Sequence, residues 1–278
     1  MKIKYGRQDI TQGDIESVVN VLKSELLTQG PMVPKFEEAV CNFTSAKYGI
    51  AVNSATSALH IACMALDLGP GDMLWTSPNT FVASSNCAIY CGADVDFVDI
   101  DPETLNICPS ILEAKLKKAE FFSNLPDFLT VVHFGGNPCD MKKIYDLSIK
   151  YGFKIIEDAS HALGASYDNM MIGENNFSLA SVFSFHPVKM ITTGEGGAIL
   201  LSSEEDKKKA CRLRSHGIVS TNSLETNKKP EWYYEQHDLG YNFRMSEIQA
   251  ALGSSQIERL KCFIEKRNIL AKYYKDHL

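Results

Sequence analysis

Four places in the sequence hold side chains that could do chemistry together. Lys189 stands in Ser181-Val-Phe-Ser-Phe-His-Pro-Val-Lys-Met-Ile-Thr-Thr-Gly-Glu-Gly-Gly197. That stretch reads as a buried strand, a turn with one lysine, then a glycine-rich turn into another strand. Burial and nearby positive charge would lower the pKa of a lysine there, and a free amine attacks an aldehyde. Ser184, five residues earlier on the strand, could bind a phosphate. Asp158 and His161 lie in Glu157-Asp-Ala-Ser-His161, at the end of the apolar run Lys154-Ile-Ile. A carboxylate there could hold a proton on a ring nitrogen, and the histidine could bond a phenolic oxygen. Strand alternation points Glu157 the other way. Asn53-Ser-Ala-Thr-Ser-Ala58 offers a helix start with small side chains, suited to phosphate. Phe81, after the turn Ser77-Pro-Asn-Thr, could stack on a flat ring. Amine, ring-nitrogen partner, phosphate site and stacking face together describe a pyridoxal phosphate (PLP) site.

Each feature alone has an ordinary reading: a surface lysine, a helix N-cap, a satisfied histidine, a core phenylalanine. Their placement carries the argument, since each falls just after a strand, where ligands collect in open α/β sheets.

The elements that must position them alternate. Thr11 and Asp14 start a helix, with Ile15, Val18, Val19 and Leu22 on one face. A short helix over Phe36–Phe43 follows. Strands are expected over 48–53, 73–76, 95–100, 128–133, 153–157 and 198–201, and helices over 55–68, 81–90, 109–119, 141–151 and 204–215. Residues 221–230 read as an exposed loop. From Ser246 one helix runs almost to the end, with Ile248, Leu252, Ile257, Leu260 and Ile264 spaced for burial. This alternation predicts a mostly parallel sheet between helices.

The 278 residues are 45% hydrophobic and 22% charged, the composition of a soluble globular protein. A net charge of −6 argues against nucleic acid and anionic membranes as partners. No apolar run is long enough to span a bilayer, and the N-terminus lacks a signal-peptide core. Eight scattered cysteines without a CxxC pair read as small buried side chains in a reducing cytoplasm, with no metal site. No GxGxxG follows a strand, which disfavours a nicotinamide oxidoreductase.

The ordered words resemble the DegT/StrS family of PLP-dependent sugar aminotransferases. They include Asn53-Ser-Ala-Thr-Ser-Ala-Leu59, Pro78-Asn-Thr-Phe-Val-Ala83, Phe97-Val-Asp-Ile-Asp101 and Val132-His-Phe-Gly-Gly136. Further on stand Glu157-Asp-Ala-Ser-His-Ala-Leu-Gly164, Phe183-Ser-Phe-His-Pro-Val-Lys189, Gly194-Glu-Gly-Gly197, Arg214-Ser-His-Gly217 and Gly240-Tyr-Asn-Phe-Arg-Met-Ser-Glu-Ile-Gln249. The resemblance implies the aspartate aminotransferase type I fold. It implies Lys189 as the Schiff-base lysine, Asp158 as the pyridinium partner and His161 on the phenolic oxygen. Ala55, Thr56 and Ser184 would contact the phosphate, and Phe81 would stack. Asn242 would reach the phosphate of a neighbouring subunit, so a homodimer with shared sites is implied.

Some members of the family carry histidine where Lys189 stands and act as sugar dehydratases, so lysine implies amino transfer. The implied reaction takes the amino group of L-glutamate to a UDP-linked 4-keto-6-deoxy-N-acetyl sugar, for pseudaminic acid or related surface glycans. The alternatives are a non-catalytic member that binds PLP or a sugar nucleotide, and a PLP sugar dehydratase. Family members continue past the last helix here. The expected organisation is therefore a large PLP-binding domain over 1–244 and a long helix, 245–278, leading into a small C-terminal domain that is largely missing.

Overall fold

The computed structural model describes residues 6–220, 230 and 232–278. Two helices, α1 (Gln12–Leu22) and α2 (Met32–Thr44), precede β1 (Tyr48–Val52). Then come α3 (Ala55–Ala65), β2 (Met73–Thr76), α4 (Ala83–Tyr90), β3 (Asp94–Phe97), α5 (Pro109–Phe121) and β4 (Phe128–Val132). Helix α6 (Met141–Tyr151) leads to β5 (Lys154–Asp158), the short ladder β6 (Ser166–Tyr167) and β7 (Met170–Met171), then β8 (Ala180–Ser184) and β9 (Gly197–Leu201). The chain closes with α7 (Glu204–Arg214), the pair β10 (Ile218–Ser220) and β11 (Tyr234–Gln236), α8 (Glu247–Ile257) and α9 (Leu260–His277).

The main sheet has seven strands in the order β1-β9-β8-β5-β4-β2-β3. Every pair from β8 to β3 is parallel, and only β9 runs against its neighbours β1 and β8. The expected mostly parallel sheet is therefore present. Strands β4, β8 and β9 are buried along their whole length, and they read as apolar runs broken only by Thr130, Ser181 and Ser184. Helices α3, α4 and α7 cover one face and α2 and α8 the other, while α5 and α6 cover the β2–β4–β5 side. Helix α6 shows local and tertiary signals agreeing. Asp140 caps its start, Met141, Ile144, Ser148 and Tyr151 face the core, and Gly152 at φ 83° ends it in the left-handed region.

Some expectations need correction. Helix α2 starts at Met32 rather than Phe36, because Pro31 and Pro34 occupy positions where helix N–H groups go unused. The Glu247 carboxylate accepts from Met32 N–H (2.6 Å) and Val33 N–H (3.3 Å), a cap supplied from α8. Helix α4 begins at Ala83, leaving Phe81 and Val82 in the preceding turn, and β3 ends at Phe97. The single final helix is two, broken at Glu258–Arg259. Of its five residues expected to be buried, only Leu260 is; the buried face of α8 is instead small and polar, including Ala250, Ala251, Gly253 and Ser254. The reason is close approach: a Cβ at Gly253 would sit 2.7 Å from the Phe36 ring. The cysteines also divide, with Cys63, Cys87 and Cys139 buried and Cys262 exposed, all of them free thiols. The loop expected over 221–230 lies outside the described residues apart from the exposed Pro230. Among the described residues no helix is long and apolar enough to cross a membrane.

Candidate active site

Because β1, β2, β4, β5 and β8 all point one way, the segments that follow them meet at one sheet edge. A cavity of about 410 Å³ opens there. Ala55, Thr56, Phe81, Asp158, His161, Ser184 and Lys189 line it, so seven of the eight residues singled out from the sequence come together. Asn242 does not line it. It is exposed and bridges Ser215 through the backbone, away from this chain's own cavity.

One end of the cavity is built for an anion. Ser54 caps α3, its Oγ accepting from Ser57 N–H at 3.1 Å. The first helical bond runs from Ala58 N–H to Ser54 O, so the N–H groups of Ala55 and Thr56 come before it and point out of the helix start. Gly197 faces this turn from β9. A Cβ there would lie 2.6 Å from Ala55 N and Ser54 C, so only glycine lets the strand pass so close. Gly197 pairs with Ser184 across the β8–β9 ladder, which sets the Ser184 hydroxyl beside the cradle.

At the other end Asp158 is buried, and both its oxygens are engaged. Oδ1 accepts from Ser160 Oγ (2.6 Å) and Ser160 N–H (3.2 Å), and Oδ2 from Ser84 Oγ (2.6 Å). Glu157 faces the opposite side of β5, as alternation requires. There it accepts from Ser178 Oγ at 2.5 Å and lies 2.7 Å from His133 Nε2. The Cys139 N–H donates to His133 Nδ1 at 3.1 Å, so the imidazole proton sits on Nε2, on the side of Glu157.

Lys189 is half-buried, and that burial holds its pKa below the ordinary lysine value while the Asp158 charge pulls upward. The expected fall is present, but burial alone causes it, since the charge it feels is negative. Burial also lowers the His161 pKa, helped by the charges of Lys189 and Arg267 and opposed by Asp158, which keeps the imidazole neutral near pH 7. Phe81 is 74% exposed at the cavity rim. It is therefore not a core residue, and its ring face is open to a stacking partner. A half-buried amine with its pKa lowered, a helix-start cradle that a Cβ at position 197 would fill, a buried carboxylate and an open ring face fit a flat, phosphorylated heteroaromatic aldehyde.

Ser84, Thr80 and Ser160 are the site residues that sequence reasoning missed. A serine inside a short helix carries no spacing signal. Only the tertiary contact with Asp158 reveals it.

The sequence matches the profile of the DegT/DnrJ/EryC1/StrS aminotransferase family over residues 8–278. It is 43% identical over 274 residues to UDP-4-amino-4,6-dideoxy-N-acetyl-beta-L-altrosamine transaminase of Campylobacter jejuni, covering 98% of this chain and 68% of that protein. It is 38% identical over 272 residues to the spore coat polysaccharide biosynthesis protein SpsC of Bacillus subtilis, with the same shares covered. Among solved structures, Helicobacter pylori PseC, an aminotransferase involved in the biosynthesis of pseudoaminic acid, superposes with a TM-score of 0.89 at 33% identity, over 99% of this chain and 70% of that one. NtdA from Bacillus subtilis with bound cofactor PMP gives a TM-score of 0.79 at 30% identity, over 95% and 57%.

Proposed function

Because this chain belongs to the DegT/DnrJ/EryC1/StrS aminotransferase family, we propose that it moves the amino group of L-glutamate to C4 of a UDP-linked 4-keto-6-deoxy-N-acetyl sugar. The product would be a UDP-amino sugar for pseudaminic acid or a related surface glycan. The observation that carries the reading is the half-buried Lys189, its pKa lowered, in one cavity with Asp158 and the start of α3.

When bound, PLP supplies a carbon that can carry the amino group and an electron-poor ring that draws charge from the substrate's α-carbon. Lys189 would hold its aldehyde carbon, Asp158 its ring nitrogen and His161 its phenolic oxygen. Ala55, Thr56 and Ser184 would bind its phosphate. From the cavity rim Phe81 would stack on the ring and keep water from its face. Lys189 Nζ, whose pKa burial lowers, would be the base that takes the proton from the α-carbon of glutamate and later returns one to the sugar carbon. Asp158, already oriented by two serines, would keep the proton on the ring nitrogen.

Three further elements belong to the proposal. Asn242, exposed and outside the cavity, would serve a second copy of the chain, making a homodimer with shared sites. Residues 1–244 would form the cofactor-binding unit and 245–278 would lead into a second one; α8 packs against α1 and α2 of the first unit, and along α9, which would lead out of it, only Leu260 is buried. The reaction takes place in the cytoplasm, where glutamate and nucleotide sugars are made.

The test is borohydride reduction after PLP is added, with the labelled residue mapped by mass. The label is expected on Lys189 and should be absent from Lys189→Ala. One equivalent of 2-oxoglutarate should then appear when glutamate replaces borohydride, and a panel of UDP-keto sugars read by mass identifies the acceptor. Labelling elsewhere, or none, overturns the reading. A label on Lys189 without 2-oxoglutarate would favour the non-catalytic alternative.

A further inference from the structure

The Asp158 carboxylate already spends most of its accepting capacity on this chain's own donors. Ser160 gives Oδ1 two bonds, from its hydroxyl and its N–H. Ser84 Oγ lies 2.6 Å from Oδ2, and Thr80 Oγ1 lies 2.7 Å from Ser84 Oγ. An ionised carboxylate only accepts, so the Ser84 proton points at Oδ2. Ser84 Oγ meets Thr80 as the acceptor, and Thr80 is the donor. The direction of the relay is thereby fixed, from Thr80 to Ser84 to Asp158.

Ser84 is 0% exposed and stands in the first turn of α4. Thr80 lines the cavity beside Phe81, in the turn before that helix. The relay therefore ties the carboxylate to the turn that carries the open ring face. A carboxylate has about four acceptor directions. Both at Oδ1 and one at Oδ2 are taken, which leaves one free direction at Oδ2 for a donor from the cavity.

We propose that Ser84 and Thr80 are positioning residues that aim the one free acceptor direction of Asp158 at the cofactor's ring nitrogen and tie it to the Phe81 turn. The proposal rests on the reading that PLP occupies this cavity. Asp158 is the group that touches the cofactor; the two hydroxyls act through it. Neither hydroxyl is marked by the sequence, because Ser84 reads as a helix residue and Thr80 as a turn residue.

The experiment measures PLP affinity and the nitrogen NMR shift of an isotope-labelled ring in the bound cofactor. The variants are Ser84→Ala, Thr80→Val, Thr80→Ser and Asp158→Ala, with Ser84→Ala and Thr80→Val each also combined with Asp158→Ala. Losing a hydrogen bond to a charged acceptor should weaken binding by about tenfold in Ser84→Ala. Thr80→Val should weaken it by about threefold, while Thr80→Ser, which keeps the hydroxyl, stays within about twofold of wild type. The ring-nitrogen shift should move in Ser84→Ala and not in Thr80→Ser. In the Asp158→Ala background neither Ser84→Ala nor Thr80→Val should cost anything more. Should Ser84→Ala fail to fold, the Thr80 series and its cycle with Asp158 decide alone. A full effect that persists without Asp158, or equal losses in Thr80→Val and Thr80→Ser, overturns the proposal. A wild type that binds no PLP overturns the reading of the cavity itself. Binding through Lys189 with Ser84→Ala unaffected overturns only the relay.

Discussion

At Lys189 the structure separates two causes that look alike in a sequence. Both burial and a neighbouring cation lower a lysine's pKa, but only burial acts here, and Asp158 opposes it. The consequence is a pH-dependent stability. The folded lysine gives up its proton before the unfolded one does, so between its lowered value and the ordinary 10.5 the unfolded state binds more protons. Stability contributed by this group therefore rises with pH across that window. Lys189→Met should show a higher urea midpoint than wild type near neutral pH, with the gap closing as the pH approaches 10.5. A gap that stays constant across the series would mean that the lysine is not desolvated. At this scale the sequence was legible where a rare residue type stands at a strand end: Lys189, Asp158 and His161 all line one cavity. Ser84 and Thr80 were not legible, since a hydroxyl acquires its role only from what the fold places opposite it.

At the scale of elements, two junctions hold the site in place, and neither can be read from local pattern. The first joins α1 to α8 through Asp14, which is fully buried. It accepts from Thr11 N–H (2.8 Å), Ser255 Oγ (2.7 Å), Gln256 Nε2 (2.9 Å) and Arg259 Nη2 (2.6 Å). Burial pushes its carboxyl up, but these donors outweigh it and hold the pKa below the ordinary value of 3.8. Its stabilisation is complete above that ordinary value and is lost as pH falls through the lowered one. Asp14→Ala should cost about 3 kcal/mol in urea unfolding at neutral pH, because it removes the acceptor of buried donors and leaves Arg259 with Asp9 as its remaining carboxylate partner. It should also flatten the acid limb of the stability curve. From the sequence Thr11 and Asp14 read correctly as a helix start; the partners more than two hundred residues on could not be read.

The second junction is β9 against the start of α3. Gly197→Ala would place a methyl 2.6 Å from Ala55 N, pushing the helix start off the strand. A stability loss of about 2 kcal/mol is expected from overpacking, together with weaker phosphate binding. Inorganic phosphate competing with PLP measures the second effect. Equal competition in variant and wild type would mean that the cradle does not bind phosphate. Sequence reasoning read Gly197 as part of a turn. Its contact with α3 depends on β9 inserting between β1 and β8, a topological fact without a local signature.

At the scale of the whole molecule, exposed apolar side chains gather in places that a lone chain leaves uncovered. Phe81, Val82, Ile89 and Tyr90 form one such run around α4, and Ile269, Leu270, Tyr273 and Tyr274 another along α9. A homodimer with shared sites makes a definite prediction. In sedimentation the chain should run as a dimer, and Asn242→Ala should weaken PLP binding although Asn242 lines no part of its own chain's cavity. A monomer with full cofactor affinity would refute the shared site. The fold class was legible because alternating strands and helices leave few ways to cover a parallel sheet. The burial of the last helices was not. The spacing of large apolar residues predicts a buried face, whereas α8 packs through its small ones.

Strand β5 carries two adjacent carboxylates with separate duties, Asp158 toward the cavity and Glu157 toward His133 and Ser178. A one-residue slip of that strand would put Glu157 in the place of Asp158 and Ile156 in the place of Glu157, since neighbouring side chains face opposite sides. The misregistered chain would still carry an acid in the cavity, so the charge there would not betray it. It would present Glu157 to the cofactor, one methylene longer and without Ser84 or Ser160 to aim it. Correct pairing between β4, β5 and β8 is thus a catalytic parameter. In a refolded preparation, the share of chains able to take up cofactor measures how faithfully one central strand found its register.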